Sequence, residues 1–545
     1  AAGAAATFVA ASAPALPAGA QDAPNRAAVL EAMKRATRFM SEEAAVDGGY
    51  VWQYLPDFSR RWGELEATPT MIWVQPPGTA TVGHLFLDAY HATGDEYYFE
   101  AAKAAADALI RGQHPAGGWN YVIDTAGEES LKRWYETVGR NAWRLEEFQR
   151  YYGNATFDDA GTSEASQLLL RVYLEKRERK YRAPLEKAIA FVLDSQYPNG
   201  GWPQRYPFVE GGGLHGHEDY TPYITFNDDV AGENLEFLIY AWHGLATNGR
   251  GDARILDAIN RGMDIFVKTQ QPQPQPAWGL QHFPDTLKPA GARTIEPQAF
   301  VTHATGGNIR SMLGFYRLTG DRKFLERLPE ALDWLEAVEA PASTHRDGRN
   351  FFRHIEPGTN RPIAVHRRGS NAQNGEYYAD YDMSDQTAEK HIDVARLRAR
   401  VEQVAALSPE EATRQSPLMG RGPSLLPPFV LTRPQAGSDL NVASSGSKLT
   451  PVPNLVEGLN EQGWWPVELR ATSHPYRGDG PAEPPPGFVD RGQVGDAWDT
   501  SPFTEEHGPM GISTGTYISN MSRLIAWLVE TGGAVSLTEN HGVGR

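Results

Sequence analysis

The stretch KYRAPLEKAIAFVLDSQYPNGGW, residues 180–202, decides the fold. Leu185 and Ile189 lie four residues apart, the spacing of a helix that buries one face. The helix pattern runs out at Gln196, and a turn carrying Gly200-Gly201-Trp202 follows. Three other segments share this design. One runs from Thr93-Gly94-Asp95 through Tyr98 to Gln113, one from Asp252 through Ile255, Ile259 and Phe266 to Gln270, and one from Thr319-Gly320-Asp321 through Leu325, Leu328, Leu332 and Trp334 to Val338. Gln113, Gln196 and Gln270 are spaced 83 and 74 residues apart, and Gly117-Gly118-Trp119 and Ala277-Trp278-Gly279 stand where Gly200-Gly201-Trp202 does. Further helical stretches lie between, at Ser163 to Lys176 and Gly232 to Trp242. Two helices per unit in several units predict stacked helical hairpins. Units so few and so long predict closure into an all-α, α/α toroid. The Trp turns would then gather at one mouth, where indole faces suit sugar rings. The alternative is that each Trp plugs the core at a hairpin junction.

The texture changes near residue 400. One more helix is expected at Arg396 to Ala406 and a last one at Tyr517 to Glu530, with Ile518, Met521, Leu524, Ile525 and Leu528 on one face. Between them, Ser416 to Pro502 is rich in Pro, Gly and Ser. The expected organisation is an export-signal remnant over 1–25, with a small-x-small site at Ala18-Gly19-Ala20, a toroid over 26–400, and an extension over 401–545 that wraps the toroid and is docked by Trp464-Trp465.

The formal charge of the 545-residue chain is −17, from 51 basic and 68 acidic residues. This argues against nucleic acid, which needs a basic face. No apolar run is long enough for a membrane span. With no cysteine, disulfides, thiolate metal sites and a Cys nucleophile are excluded. A secreted or periplasmic monomer is expected.

Three constellations carry chemistry. Thr156-Phe157-Asp158-Asp159 and Tyr223-Ile224-Thr225-Phe226-Asn227-Asp228-Asp229 each precede a helix. One Asp suffices as a cap, and a second adjacent carboxylate is repulsive unless a cation neutralises it. Oxygen ligands of this kind suit calcium. Arg353, Arg361, Arg367 and Arg368 fall within sixteen residues, and Arg293 stands earlier. Guanidinium forks hold carboxylates.

These residues match a known pattern. The chain resembles family ten of the polysaccharide lyases, the pectic acid lyases of α/α toroid architecture, from about Gly117 to Tyr381. The resemblance is carried by Ser195-Gln196-Tyr197-Pro198-Asn199-Gly200-Gly201-Trp202-Pro203-Gln204, Ile224-Thr225-Phe226-Asn227-Asp228-Asp229, Ala292-Arg293-Thr294-Ile295-Glu296-Pro297 and Gly358-Thr359-Asn360-Arg361-Pro362 followed by Arg367. It implies a pectate lyase acting on an acidic polysaccharide with Ca2+. It makes Arg293 the base that takes the C5 proton, and Asp158, Asp159, Asp228 and the adjoining Asp229 the metal site. Arg353 and Arg367 would hold substrate carboxylates, with Arg361, Trp202, Gln204, Trp278 and His282 completing the substrate cleft. His282 and His303 are alternative bases of more suitable pKa. The chain departs from the family in having Asp158-Asp159 where the family has Asp-Asn, in a loop one residue shorter, and Arg353-His354-Ile355 where the family has Arg-Phe-Tyr.

Removing a proton α to a carboxylate builds negative charge that must be neutralised as it forms. An arginine base therefore predicts faster turnover in alkali. Two rivals remain open: a toroid glycoside hydrolase with paired carboxylates, and a uronate-binding protein without catalysis.

Overall fold

The structure is a computed structural model that describes residues 25–139, 146–210, 213, 217–247, 251–370, 373–420, 450–469 and 509–532, with side chains except at 367–370 and 373–377. The expected export remnant, most of Ser416 to Pro502 and the Arg367 side chain lie outside the described residues.

Helical hairpins build the body. Helix α1 (Arg26–Arg38) leads into α2 (Thr79–Thr93) and α3 (Glu96–Arg111). The short α4 (Glu128–Thr137) precedes α5 (Gly161–Lys176) and α6 (Arg182–Asp194). Next come α7 (Val230–Gly244) with α8 (Ala253–Thr269), and α9 (Thr302–Thr319) with α10 (Leu328–Ala337). α11 (Val394–Ala405), the one-turn α12 (Pro409–Ala412) and α13 (Val452–Gly458) follow, and α14 (Thr514–Glu530) ends the described chain.

Burial separates an inner row from an outer one. α2 is buried continuously from Thr79 to Tyr90 and α5 from Gly161 to Val172. α8 instead buries Ile255, Ala258, Ile259, Gly262, Met263 and Phe266, the single stripe of an outer helix. The inner helices α14, α2, α5 and α7 pack side by side in that order, with α3, α6 and α8 behind them. This is the expected all-α toroid of helical hairpins. Among the described residues no helix is long and apolar enough to cross a membrane.

The C-terminal helix is part of this row. α14 packs on α1, α2 and α13, and its Ile518, Met521 and Leu524 are fully buried. It therefore stands in the ring itself instead of over its outside. A five-stranded sheet ties the two chain ends, in the order Val467–Glu468, Met510–Ser513, Gln53–Tyr54, Arg61–Trp62, Glu66–Ala67.

The turns after the outer helices are stapled alike. Gln113 Nε2 donates to Gly117 O in its own turn (2.8 Å) and to Pro184 O in the next hairpin (3.0 Å). Gln196 does the same to Gly200 O (2.9 Å) and Ala258 O (3.0 Å), and Gln270 to Pro276 O (3.2 Å) and Arg327 O (3.0 Å). The approach is so close that a Cβ on Gly117 or Gly200 would lie 2.1 Å or 1.9 Å from the neighbouring helix's carbonyl oxygen of Lys187 or Arg261. Both glycines also have positive φ, 116° and 107°.

Here the expectation for the tryptophans is corrected. Trp119, Trp202 and Trp278 are completely buried, and their Nε1–H groups donate to Leu109 O (2.8 Å), Val192 O (2.8 Å) and Phe266 O (2.9 Å). Each indole fills the junction between its helix and its turn and has no face left for a sugar. Trp465 repeats the bond to Leu455 O (2.8 Å), which marks α13 and its Gly463-Trp464-Trp465 turn as a further copy of the unit. Replacing Trp278 by Ala should cost about 3–5 kcal/mol, read as a lower midpoint in urea unfolding. A mouth residue would instead raise KM at unchanged stability.

Candidate active site

Two turns of one design open the inner helices α5 and α7. Phe157-Asp158-Asp159-Ala160 and Phe226-Asn227-Asp228-Asp229 share a backbone path in which the last two residues are left-handed: Asp159 at φ 48° and Ala160 at 57°, Asp228 at 48° and Asp229 at 55°. Asp159 is thus the counterpart of Asp228, and Asp158 that of Asn227. Consecutive left-handed non-glycine residues are strained, and such strain collects at functional sites. The two turns touch.

A run of carboxylates gathers around them. Tyr121 Oη donates to Asp158 Oδ2 at 2.6 Å, while Asp158 Oδ1 is buried and accepts from no N–H or hydroxyl group. Gln75 Nε2 bridges Asp159 Oδ2 (2.5 Å) and Glu64 Oε2 (2.8 Å). Asp228 is enclosed by protein yet open to water, as expected of a group at the bottom of a cleft. Enclosure, then the charges of Asp159 and Asp158, push its carboxyl well up. Burial and the charge of Asp158 do the same to Asp159. Burial and Glu147 raise Glu64 to about 8, and burial raises Glu147 against the pull of Arg293. These carboxyls share too little positive charge.

The basic side is a clamp. Arg293 pairs with Glu296 at 2.9 Å and with Glu147 at 3.3 Å, and Arg353 reaches the same Glu296 oxygen at 3.5 Å. Thr294 N donates to Glu146 Oε1 (2.9 Å), which fastens the Arg293 loop to the Glu146–Phe148 turn. Burial pushes Glu296 up, but Arg293 and then Arg353 outweigh it and hold it at about 2. Burial also works against the Arg293 charge, yet Glu296 and Glu147 outweigh it and push the guanidinium higher still. Arg293 is firmly cationic in this arrangement.

Other expected site residues do not join this cluster of facing charges. His282 is fully buried, accepts from Gly279 N at 3.0 Å with Nε2 and meets Leu287 O at 2.9 Å with Nδ1. It shapes a turn, and burial pulls it down to about 4. His303 is pulled to about 2 by burial, then by Lys390 and Arg353. Gln204 is buried, and its backbone carbonyl accepts from Phe157 N at 2.9 Å, so it braces the Asp158 turn. Arg361 is exposed, with its guanidinium 3.8 Å above the Tyr381 ring. Trp202 and Trp278 are core, as above. Asp158, Asp159, Asp228, Arg293 and Arg353 are brought together. Asp229 follows Asp228 in the same turn and is exposed.

Sequence reasoning missed Glu64, Gln75, Tyr121, Glu147 and the pairing role of Glu296. Only Glu296 carried a local signal, three residues after Arg293.

Among the described residues no three acidic or imidazole side chains already stand as a metal cage. The donor set nevertheless fits a hard divalent cation. It is all oxygen, it includes the orphaned Asp158 Oδ1, and the carboxyls of Asp159 and Asp228 are pushed up by desolvation and then by neighbouring carboxylates.

Residues 128–313 match the model of the pectic acid lyase family. Over this span the chain is similar to the pectic acid lyases. The span holds both Asp turns, Arg293 and Glu296, and so three of the four motifs that carry the resemblance, while Gly358 to Pro362 and Arg367 lie beyond it. No curated protein matches the chain. Among solved structures, the chain is similar to a mutant family 10 polysaccharide lyase from Cellvibrio cellulosa in complex with trigalacturonic acid, at 18% identity over 59% of this chain and 98% of that one, TM-score 0.38. It is also similar to an unsaturated glucuronyl hydrolase specific for heparin, at 12% identity over 93% and 99%, TM-score 0.39. A third is an α-1,6-mannanase of Salegentibacter sp. HEL1_6, at 11% over 92% and 98%, TM-score 0.36. Likenesses this distant leave the fold to the helix packing described above.

The raised Glu64 sets a pH dependence. Its folded value of about 8 exceeds the ordinary 4.5, so the folded state binds more protons between these values. Its contribution to stability is therefore full below 4.5 and is lost as pH rises to 8. In chelator, the melting temperature should fall across this window, and Glu64→Gln should flatten the fall. An unchanged slope in the variant would place the titration elsewhere.

Proposed function

We propose that the protein cleaves polygalacturonate, or a related uronic-acid polysaccharide, by calcium-assisted anti β-elimination with Arg293 as the base. One observation carries the proposal: a carboxylate cluster short of positive charge lies beside a guanidinium pair in the same cleft. Asp158, Asp159 and Asp228 would hold the cation, which when bound offsets the charge that builds on the substrate carboxylate. Arg353 has its Nε buried without a partner and a long contact to Glu296, so donors remain for a uronate carboxylate.

Arg293 must give up its proton before it can take one. The pairs with Glu296 and Glu147 oppose this in the free protein. A cation held by the Asp cluster would oppose them, because a like charge nearby disfavours the protonated guanidinium. The C5 proton then passes to the neutral guanidine, the C5–H electrons form the C4=C5 bond, and the C4–O4 bond breaks with its electrons on O4. An exported monomer suits a polymer substrate outside the cell.

A glycoside hydrolase is the second reading. The observation that favours it is Glu64, held protonated up to a pH of about 8 as a general acid would be.

The deciding assay follows the ultraviolet absorbance of the unsaturated product on polygalacturonate in alkaline buffer, with calcium and with chelator. Absorbance should rise only with calcium, and Arg293→Ala should lower the rate about 10²–10⁴-fold at unchanged melting temperature. New reducing ends without absorbance would remove the lyase and leave the hydrolase. Turnover unaffected by chelator would remove calcium alone.

A further inference from the structure

Arg205 is a buried cation that makes no ion pair among the described residues. It is 2% exposed. Nη1 donates to the neutral amide oxygens of Asn154 (3.2 Å) and Asn120 (3.5 Å), and Nη2 is buried with no partner. Two aromatic faces wall it in, Tyr152 with its ring centroid 4.5 Å from the guanidinium carbon and Tyr121 at 5.1 Å. A charge withdrawn from water without a carboxylate is costly, and simple space-filling does not need one.

The second of those rings explains it. Tyr121 is the residue whose hydroxyl donates to Asp158 Oδ2. The negative ring face takes the cation, and a ring so polarised makes its hydroxyl a stronger donor at the far edge. Arg205 is also fixed to the Asp158 turn through the backbone. It sits opposite Thr156 in the short strand pair, Gln204 O accepts from Phe157 N, and Asp158 N donates to Thr156 Oγ1 at 3.1 Å. The cation, the ring and the carboxylate therefore form one stack at the edge of the acidic cluster.

We propose that Arg205 is a positioning residue of the lyase site. Its charge, acting through the Tyr121 ring, holds Asp158 with Oδ2 on the phenol and Oδ1 free for the cation. This rests on the cation reading above.

Calcium titration calorimetry on the full chain tests it, using wild type, R205K, R205M, Y121F and R205M/Y121F, with thermal melts to confirm folding. R205M and Y121F should each weaken calcium binding about ten-fold, the worth of one hydrogen bond to a charged group. The double variant should bind no more weakly than either single one, and R205K should stay within about three-fold of wild type because it keeps the charge. If R205M does not fold, R205K against Y121F still decides, since the first must stay within about three-fold of wild type and the second must weaken about ten-fold. Normal binding by R205M or Y121F, losses that multiply in the double variant, or an R205K as poor as R205M would overturn the relay alone. Wild type that binds no calcium would overturn the relay together with the cation reading.

Discussion

The outer helices α3, α6 and α8 are each followed by a glutamine whose amide donates twice, once to its own turn and once to the backbone of the next hairpin. A carbonyl near the end of one outer helix is thereby tied to its neighbour, and the buried indole after the turn closes the joint. These bonds join neighbouring hairpins at defined points, while the apolar stripes supply most of the burial. Because the joints lie at one end of the bundle, the turns that follow them emerge in register. The two strained Asp turns inherit that register. Their contact across neighbouring hairpins requires α5 and α7 to begin at the same height.

At that end the electrostatics run opposite to what stability alone would select. Glu64, Glu147, Asp159 and Asp228 are all held above their ordinary range by desolvation and by neighbouring carboxylates. Arg293 and Arg353 are largely engaged by Glu296. Arranged only for folding, these arginines would be spread among the acids. The separation into an acid cluster and a guanidinium clamp, with Glu147 between them, gives two halves of opposite charge side by side.

Helical hairpins were legible in the sequence because apolar spacing of three and four residues is a local signal that repeats. The turns were legible too, but the Trp residues at them were misassigned. An indole in a Gly-rich turn looks the same whether it faces a sugar or a helix end, and only the bond from Nε1 to a carbonyl ten or twelve residues back tells them apart. The Asp pairs, Arg293 and Arg353 were found by motif and do converge. Glu64, Glu147 and Tyr121 were not found, since none stands in a motif and each reaches the cleft only through the folded chain. The C-terminal segment was obscured by composition, because the Pro/Gly-rich stretch separates α13 from α14 and hides that they belong to the ring.

The shared backbone of the two Asp turns changes what the departure at Asp158-Asp159 means. By conformation Asp159 takes the place of Asp228, and Asp158 takes that of Asn227. The second carboxylate of the first turn is therefore the position already acidic in its sister, and Asp158 is the added charge, with the neutral Ala160 standing where Asp229 stands. An added carboxylate in a crowded cluster needs a restraint that an amide would not. The Tyr121 hydroxyl on one of its oxygens, backed by a cation with no other charge to serve, is such a restraint, and it leaves the other oxygen on the side of the cluster that lacks positive charge.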